Sequence, residues 1–392
     1  MMKIIHTGDW HIGKVVNEFS MIEDQKFYFE QFIEMIKREC PDAIVIAGDI
    51  YDRSVPPAEA VELLDQIFNK IVLELKIPIL AIAGNHDSAE RLSFGSRMLS
   101  DRGLYIAGLL EEKVKKVTLT DQDGMVNFYL LPYADPAKVR MVLKNEDIKN
   151  HDDAMKAIIE QIKQDFNEDE RNVLIGHGYV TYSYEDKEHR GNLEVCDSER
   201  PLSIGGTDLI NAKDLDIFNY VALGHLHGAQ KVGSDKIRYS GSILKYSISE
   251  YRQNKSVTKV ELDKGGNVEV ELLQVPALRD LRVIRGPIAE LTNKEVHEGT
   301  NLNDYVFVEL TDEGEILDAI SKLRAVFPNV MGLKMVNSIN NRGISKTAAD
   351  ENFREKSMEE LFEEFYQNIK GKEMDEGRIK EVQNILENIE RG

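Results

Sequence analysis

Five short apolar runs in this chain stop in the same way, and that repetition constrains the fold more than any other feature. Residues 3–8 lead to Asp9, residues 43–47 to Gly48-Asp49, and residues 77–83 to Gly84-Asn85-His86-Asp87. Residues 173–175 lead to Gly176-His177, and residues 221–223 to Gly224-His225. Continuous apolar runs rich in β-branched residues and bounded by turns read as strands buried on both faces. Between the first three lie helical patterns. Phe29, Phe32, Ile33 and Ile36 recur at helical spacing before Cys40-Pro41, and Val61, Leu64, Phe68, Ile71 and Leu75 follow Pro56-Pro57. Strand–helix–strand–helix–strand predicts an α/β fold with a mostly parallel sheet covered on both faces. Ligands of such sheets bind beyond the carboxyl ends of the strands, so the five ends are expected to converge on one edge.

What converges is ligand chemistry. Asp9 and His11 are two residues apart, as are His225 and His227, so in extended backbone each pair points one way. Asp49 can bridge two ions through its two oxygens, Asn85 offers a carbonyl oxygen, and His177 an imidazole. Six or seven nitrogen and oxygen donors exceed the needs of one transition metal and suit two. Thiolates are absent from the set, which argues against a structural zinc site. Imidazole, carboxylate and amide together suit Mn, Fe or Zn, with Mn2+ first on hard-ligand grounds and Mg2+ an alternative. Two such ions about 3.5–4 Å apart can activate water and clamp an in-line displacement at phosphorus.

Charge bears on the substrate. The chain carries a net charge of −20 over 392 residues, which argues against a general nucleic-acid coat protein. Two divalent cations against Asp9 and Asp49 nonetheless leave a locally positive site that can hold a phosphodiester. The two cysteines, Cys40 and Cys196, lie far apart and outside any metal spacing, so they read as free thiols in a reducing compartment. Neither an apolar signal core nor a membrane-length run is evident, which predicts a cytoplasmic protein with no membrane association.

The remainder of the chain reads as follows. Residues 118–119 and 126–131 form a hairpin, residues 154–166 a helix, and 179–203 a long polar segment holding Glu185 to Arg190. Strands are expected in 238–242 and 258–262. Near Pro276 the character changes: strands over 281–284, 305–310 and 331–336, with a helix over 316–327, make a small α+β unit. A linker follows Asn340-Asn341-Arg342-Gly343. Helical segments over 358–369 and 378–389 end the chain, and residues 350–392 hold 13 acidic and 7 basic residues. The expected domains are 1–275, 276–340 and 341–392.

Asp9-x-His11, Gly48-Asp49-x-x-Asp52, Gly84-Asn85-His86-Asp87, Gly176-His177 and Gly224-His225-x-His227 together resemble the five-block signature of the calcineurin-like metallophosphoesterases. Residues 7–13, 85–92, 198–202 and 224–227 further resemble the SbcD-type nucleases, which belong with the double-strand-break repair nucleases. The resemblance implies an αββα metallophosphoesterase sandwich with a small α+β domain capping DNA and C-terminal helices that dock on a partner. It places one metal on Asp9, His11, Asp49 and His227, and the other on Asp49, Asn85, His177 and His225. It makes His86 the residue facing the scissile phosphate, with Asp87 bracing the loop and Asp52 orienting His86.

The activity it implies is DNA hydrolysis by a metal-bound hydroxide. That comprises 3′→5′ exonuclease action on duplex ends and endonuclease action on single strands or hairpins, in repair and recombination. Its partners would be an SbcC-like SMC-type ATPase and a second copy of the chain. A small-molecule phosphodiesterase of the same superfamily and a non-catalytic scaffold are the rival readings.

Other residues read more plainly. His6, inside the first strand, is expected to be a packed core histidine, and His151, His189 and His297 surface residues. Arg53, Arg91 and Arg97 follow motif blocks and are either phosphate contacts or solvated charges.

Overall fold

The computed structural model describes residues 1–182, 193–199, 209–293, 297, 299–312 and 316–336, with isolated positions between 362 and 382. Glu185 to Arg190, His189 among them, lie outside the described residues. So do the linker and nearly all of both C-terminal helices expected from the sequence. The chain divides into two compact units, Met1–Val283 with Asn303–Val306, and Ile284–Leu302 with Phe307–Gly392.

The first unit holds two six-stranded sheets. One runs in the order Val268–Leu273, Val257–Leu262, Met2–Thr7, Ala43–Ile46, Ile79–Ile82, Leu104–Ala107. Its last four strands are parallel, with Ile5 opposite Ile44 and Val45 opposite Leu80. The other runs Gln230–Val232, Ser234–Tyr239, Tyr220–Gly224, Arg171–His177, Gly124–Leu130, Lys115–Asp121. Within it Tyr220–Gly224 and Arg171–His177 are parallel, with Gly224 opposite His177. The five punctuated strands are therefore split three and two between facing sheets, as the sandwich implied by the resemblance requires, whereas the strand pattern alone suggests a single sheet. Turn residues mark where a strand ends but say nothing of which sheet it joins, and that partition accounts for the difference.

The two sheets share a core. Met2, Ile4, Val45, Leu80 and Ile82 from one pack with Val126, Phe128, Val173, Ile175 and Ala222 from the other. Alternate residues point outward, as period-two geometry demands. Leu174, Val221 and Leu223 meet Ile158, Ile159 and Phe218 on the second sheet's outer face. Ile5, Ile44 and Ile46 are also fully buried on the first sheet. Burial on both faces explains why these strands read as unbroken apolar runs.

The helices follow their sequence cues with local shifts. The first spans Ile22–Glu39 and buries Tyr28, Phe29, Phe32, Met35 and Ile36. It stops where Cys40 turns left-handed and its N–H reaches the Ile36 carbonyl. The helix expected over 154–166 starts earlier, at His151–Ile162, because the Asn150 side chain accepts the Asp153 N–H at its N-terminus. The hairpin Lys115–Asp121 to Gly124–Leu130 forms in register, Asp121 opposite Gly124.

A further three-stranded sheet, ordered Leu281–Gly286, Tyr305–Leu310, Val330–Met335, begins at the end of the first unit and runs into the second. The second unit's helix is shorter than the spacing predicts, covering Ala319–Arg324. Its Leu323 is buried, as are Val308, Leu310, Phe327 and Val330. His297 is half-buried rather than a surface residue: its ring meets the Phe327 ring edge-on at 4.6 Å, and Nε2 donates to the Leu291 carbonyl. Among the described residues no helix is long and apolar enough to cross a membrane.

Candidate metal centre

Parallel pairing puts the carboxyl ends of Met2–Thr7, Ala43–Ile46 and Ile79–Ile82 on one edge, and the facing sheet delivers Arg171–His177 and Tyr220–Gly224 beside them. The loops are laced together there. Asp9 N–H donates to Gly48 O at 3.0 Å, and His11 N–H to Asp49 O at 2.9 Å. His225 N–H donates to the Asp9 carboxylate at 2.9 Å, and His86 N–H to Asp49 Oδ1 at 2.9 Å.

Space at these turns is minimal. A Cβ on Gly84 would lie 2.2 Å from Asp49 Oδ1, and one on Gly224 would lie 2.0 Å from Ala47 O. Glycine is therefore required for the loops to approach. Asp9, His11, Asp49 and His225 all adopt positive φ, between 45° and 107°. Non-glycine residues seldom take such angles, and they cluster at functional sites.

Asp49 is the geometric centre. Its Oδ2 lies 3.7 Å from His11 Nε2, 3.6 Å from His177 Nε2 and 3.9 Å from His86 Nε2. Asp9, His11 and His227 form one group of donors with atoms within 4.8 Å of one another, and Asp9, Asp49 and His177 form another. His11, Asp52 and His86 form a third. The His225 ring lies 5.5 Å from the His177 ring. All seven sequence-selected donors thus lie at one place.

The protonation pattern tests whether cations fit. His177 Nδ1 is 2.8 Å from Ala47 O, and a carbonyl only accepts, so Nδ1 carries the proton. Its Nε2 is then a bare lone pair, yet it faces Asn85 Oδ1, another acceptor, at 2.8 Å. His11 Nε2 and His227 Nε2 lie 3.1 Å apart, a spacing that two ligands of one cation also take. Two donors held about 2.0–2.1 Å from one cation would lie roughly 3.0–3.5 Å apart. The residues fit divalent cations.

Electrostatics agree. Burial raises the Asp9 carboxyl well above its ordinary range, and the neighbouring Asp49 charge adds to this. Burial lowers His11 and His225, each further disfavoured as cations by other imidazoles, and it lowers His177 and His227 as well. Among the described residues neither Asp9 nor Asp49 forms an ion pair with a lysine or arginine. Buried carboxylates among neutral imidazoles form a cavity of negative potential that a cation relieves.

The three remaining motif residues are arranged differently. Asp87 accepts backbone N–H groups from Ile50, Tyr51 and Gly84, tying two strand-end loops together. Burial, and then the Asp49 charge, push it up to about 7. His86 Nδ1 is 2.8 Å from the backbone oxygen of Asp52, so main chain rather than the Asp52 carboxylate orients this ring. The Asp52 carboxylate instead meets Lys14 Nζ at 2.8 Å.

Some residues are placed otherwise than the sequence suggests. His6 is a core histidine as expected, bound to Tyr220 Oη at 2.9 Å and Leu223 O at 3.1 Å. His151 is buried, not a surface residue; its ring stacks against Tyr133, which also meets His177 edge-on. Ligand spacing alone could not reveal that burial. Arg53, Arg91 and Arg97 are exposed, and Cys40 and Cys196 are free. Sequence reasoning missed Glu250 and Lys255, which cluster behind His227 with Ser198, a residue the resemblance singled out without a role. They lie on irregular segments where no periodic signal exists to find them.

Residues 2–229, more than half the chain, match the calcineurin-like phosphoesterase family. The chain belongs to that family, whose members are dinuclear metal-dependent hydrolases of phosphoesters. Residues 277–370 match the type 5 capsule protein repressor C-terminal domain, and the two matches together support an SbcD-type nuclease. Among solved structures, the protein TT1561 of Thermus thermophilus aligns at 11% identity. The alignment covers 69% of this chain and 98% of that one with a TM-score of 0.37, too loose to inform function.

Proposed function

We propose that this chain is a dinuclear-metal DNA nuclease, acting 3′→5′ on duplex ends and endonucleolytically on single strands and hairpins. The observation that carries the reading is the convergence of buried donor groups on Asp9 and Asp49, with the bare His177 Nε2 lone pair facing Asn85 Oδ1 beside them. Asp9, His11, Asp49 and His227 would hold one cation, and Asp49, Asn85, His177 and His225 the other, with Mn2+ the first candidate. When bound, the cations supply charge neutralisation at the phosphate and an acidified water.

The chain's own residues do the rest. The His86 Nδ1–H held by Asp52 O leaves Nε2 as the atom that carries and releases a proton. That nitrogen lies 3.9 Å from Asp49 Oδ2, where it can protonate a departing deoxyribose oxygen. Asp87 keeps the His86 loop registered on the Asp49 loop through its three N–H contacts.

The C-terminal domain match supports partnership with an SbcC-like SMC-type ATPase, with the tail as its dock. Phe94 and Met98 stand 86% and 75% exposed on the short helices after the third strand, a surface suited to a second copy of the chain. A homodimer within a heterotetramer, working on cytoplasmic DNA, follows from that reading.

The test is cleavage of labelled duplex, hairpin and mononucleotide phosphodiester substrates with Mn2+, Mg2+ or EDTA, with and without the ATPase. Metal-dependent cleavage of DNA ends is expected. Cleavage of only the mononucleotide diester would instead establish a small-molecule phosphodiesterase.

A further inference from the structure

His227 is held from behind by a buried polar cluster of Ser198, Glu250 and Lys255. Its Nδ1 lies 2.9 Å from Ser198 Oγ and 3.2 Å from Glu250 Oε1. Ser198 Oγ donates its own proton to Glu250 Oε1 at 2.6 Å, so the hydroxyl has none left for the imidazole. Nδ1 must therefore be the donor, and Nε2 a lone pair. Main-chain anchors fix the ring's position as well: the His227 N–H donates to Glu199 Oε1 at 2.7 Å, and His227 O accepts from Lys255 Nζ at 2.8 Å.

Glu250 is fully buried, and Lys255 supplies the opposing charge at 2.6 Å from its Oε2. The ammonium also reaches Ser242 Oγ at 2.8 Å and Gln253 Oε1 at 2.7 Å. Buried ion pairs add little net stability compared with apolar residues of the same size. Their value here lies in what the Glu250 carboxylate does to the imidazole. A carboxylate on the distal nitrogen fixes the tautomer, orients the ring and makes the proximal nitrogen a better ligand.

We propose that Glu250, kept in place by Lys255, is a positioning residue for His227. It holds the Nδ1–H tautomer so that Nε2 presents its lone pair to the cation held with Asp9 and His11. This rests on the dinuclear reading above and extends it, since among the described residues the distal nitrogen of His177 meets the Ala47 carbonyl and no carboxylate. The two cation positions are thus unequal: one has a charged support and the other a neutral one.

The experiment uses the full-length, metal-free chain. Mn2+ binding is followed by calorimetry and by the EPR signal of free Mn2+, and 15N shifts of the histidine rings report tautomers before metal is added. The wild type should take up two Mn2+ and show His227 protonated at Nδ1. Glu250→Gln should weaken one of the two Mn2+ by about 10–100-fold, leave the other unchanged, and populate both His227 tautomers.

Equal weakening of both ions, or unchanged binding with an unchanged tautomer, overturns the proposal. Should Glu250→Gln fail to fold, Glu250→Leu with Lys255→Met removes the pair without leaving a lone buried charge, and the same selective loss is expected. A wild type that binds fewer than two Mn2+ refutes the dinuclear reading itself, a result distinct from a symmetric loss in the variant.

Discussion

His177 and His227 end neighbouring parallel strands, yet they reach the centre by different means. His177 is steered by the Ala47 carbonyl, a main-chain group of the facing sheet that exists as soon as the sandwich forms. His227 is steered by Ser198 and Glu250, side chains on two separate segments that flank its own strand in sequence. The first support is a by-product of topology, and no single side-chain change removes it. The second depends on a polar cluster that must assemble separately. One edge of the centre is therefore robust to mutation and the other adjustable.

The largest effect should come from a change that strikes both halves. Gly84→Ala would drive a Cβ into Asp49 Oδ1 and into its backbone nitrogen 2.4 Å away. Backbone cannot yield cheaply, so Mn2+ uptake and DNA cleavage should both be lost and stability should fall by about 3 kcal/mol. Normal uptake of two Mn2+ would mean that Asp49 does not bridge the halves.

Asp121→Asn, at the outer edge of the second sheet, should touch neither half. Arg171 holds the Asp121 carboxyl well below the usual carboxylate range through paired contacts at 2.5 and 2.9 Å. A depressed pKa contributes stability above the unfolded value, lost as pH falls toward the folded one. Denaturant melts at pH 7 should therefore show a loss of about 2 kcal/mol that shrinks steadily below roughly pH 4. Mn2+ binding should be unchanged.

Tyr239→Phe sharpens the His177 side. The hydroxyl accepts the Val180 N–H at 2.6 Å and donates to Gly178 O at 2.9 Å, securing the chain just past His177. Leaving those groups unsatisfied should cost about 1–2 kcal/mol in thermal melts. Mn2+ affinity should change little, because the Ala47 contact survives.

Ser198→Ala is expected to be mildest. Glu250 remains within reach of Nδ1, so Mn2+ affinity should fall only a few-fold, a change of about 1 kcal/mol or less. A loss as large as that of Glu250→Gln would make the hydroxyl, not the carboxylate, the principal support.

Much of this is legible in the sequence. Glycine followed by Asp, Asn or His after an apolar run marks a strand end carrying a polar side chain, and all five such ends meet at the centre. The helix at Ile22–Glu39 begins and ends where its spacing says. The division into two facing sheets is carried by the motif resemblance and not by the strand pattern, because pairing is decided between distant segments. The His151 burial and the Glu250–Lys255 cluster are not legible: contacts across irregular chain leave no period to read. His86 shows the boundary well. Its place at the centre can be read from the motif, but its support by the Asp52 carbonyl rather than the carboxylate requires the folded backbone.

The four positive-φ residues, Asp9, His11, Asp49 and His225, have a consequence for how the centre fills. Each such conformation costs about 1–3 kcal/mol, charged against the stability of the empty fold. The donors are accordingly set like a sprung jaw, held open by the sandwich before any ion arrives. Loading then requires no ordering of chain, so uptake should be fast and only weakly dependent on temperature.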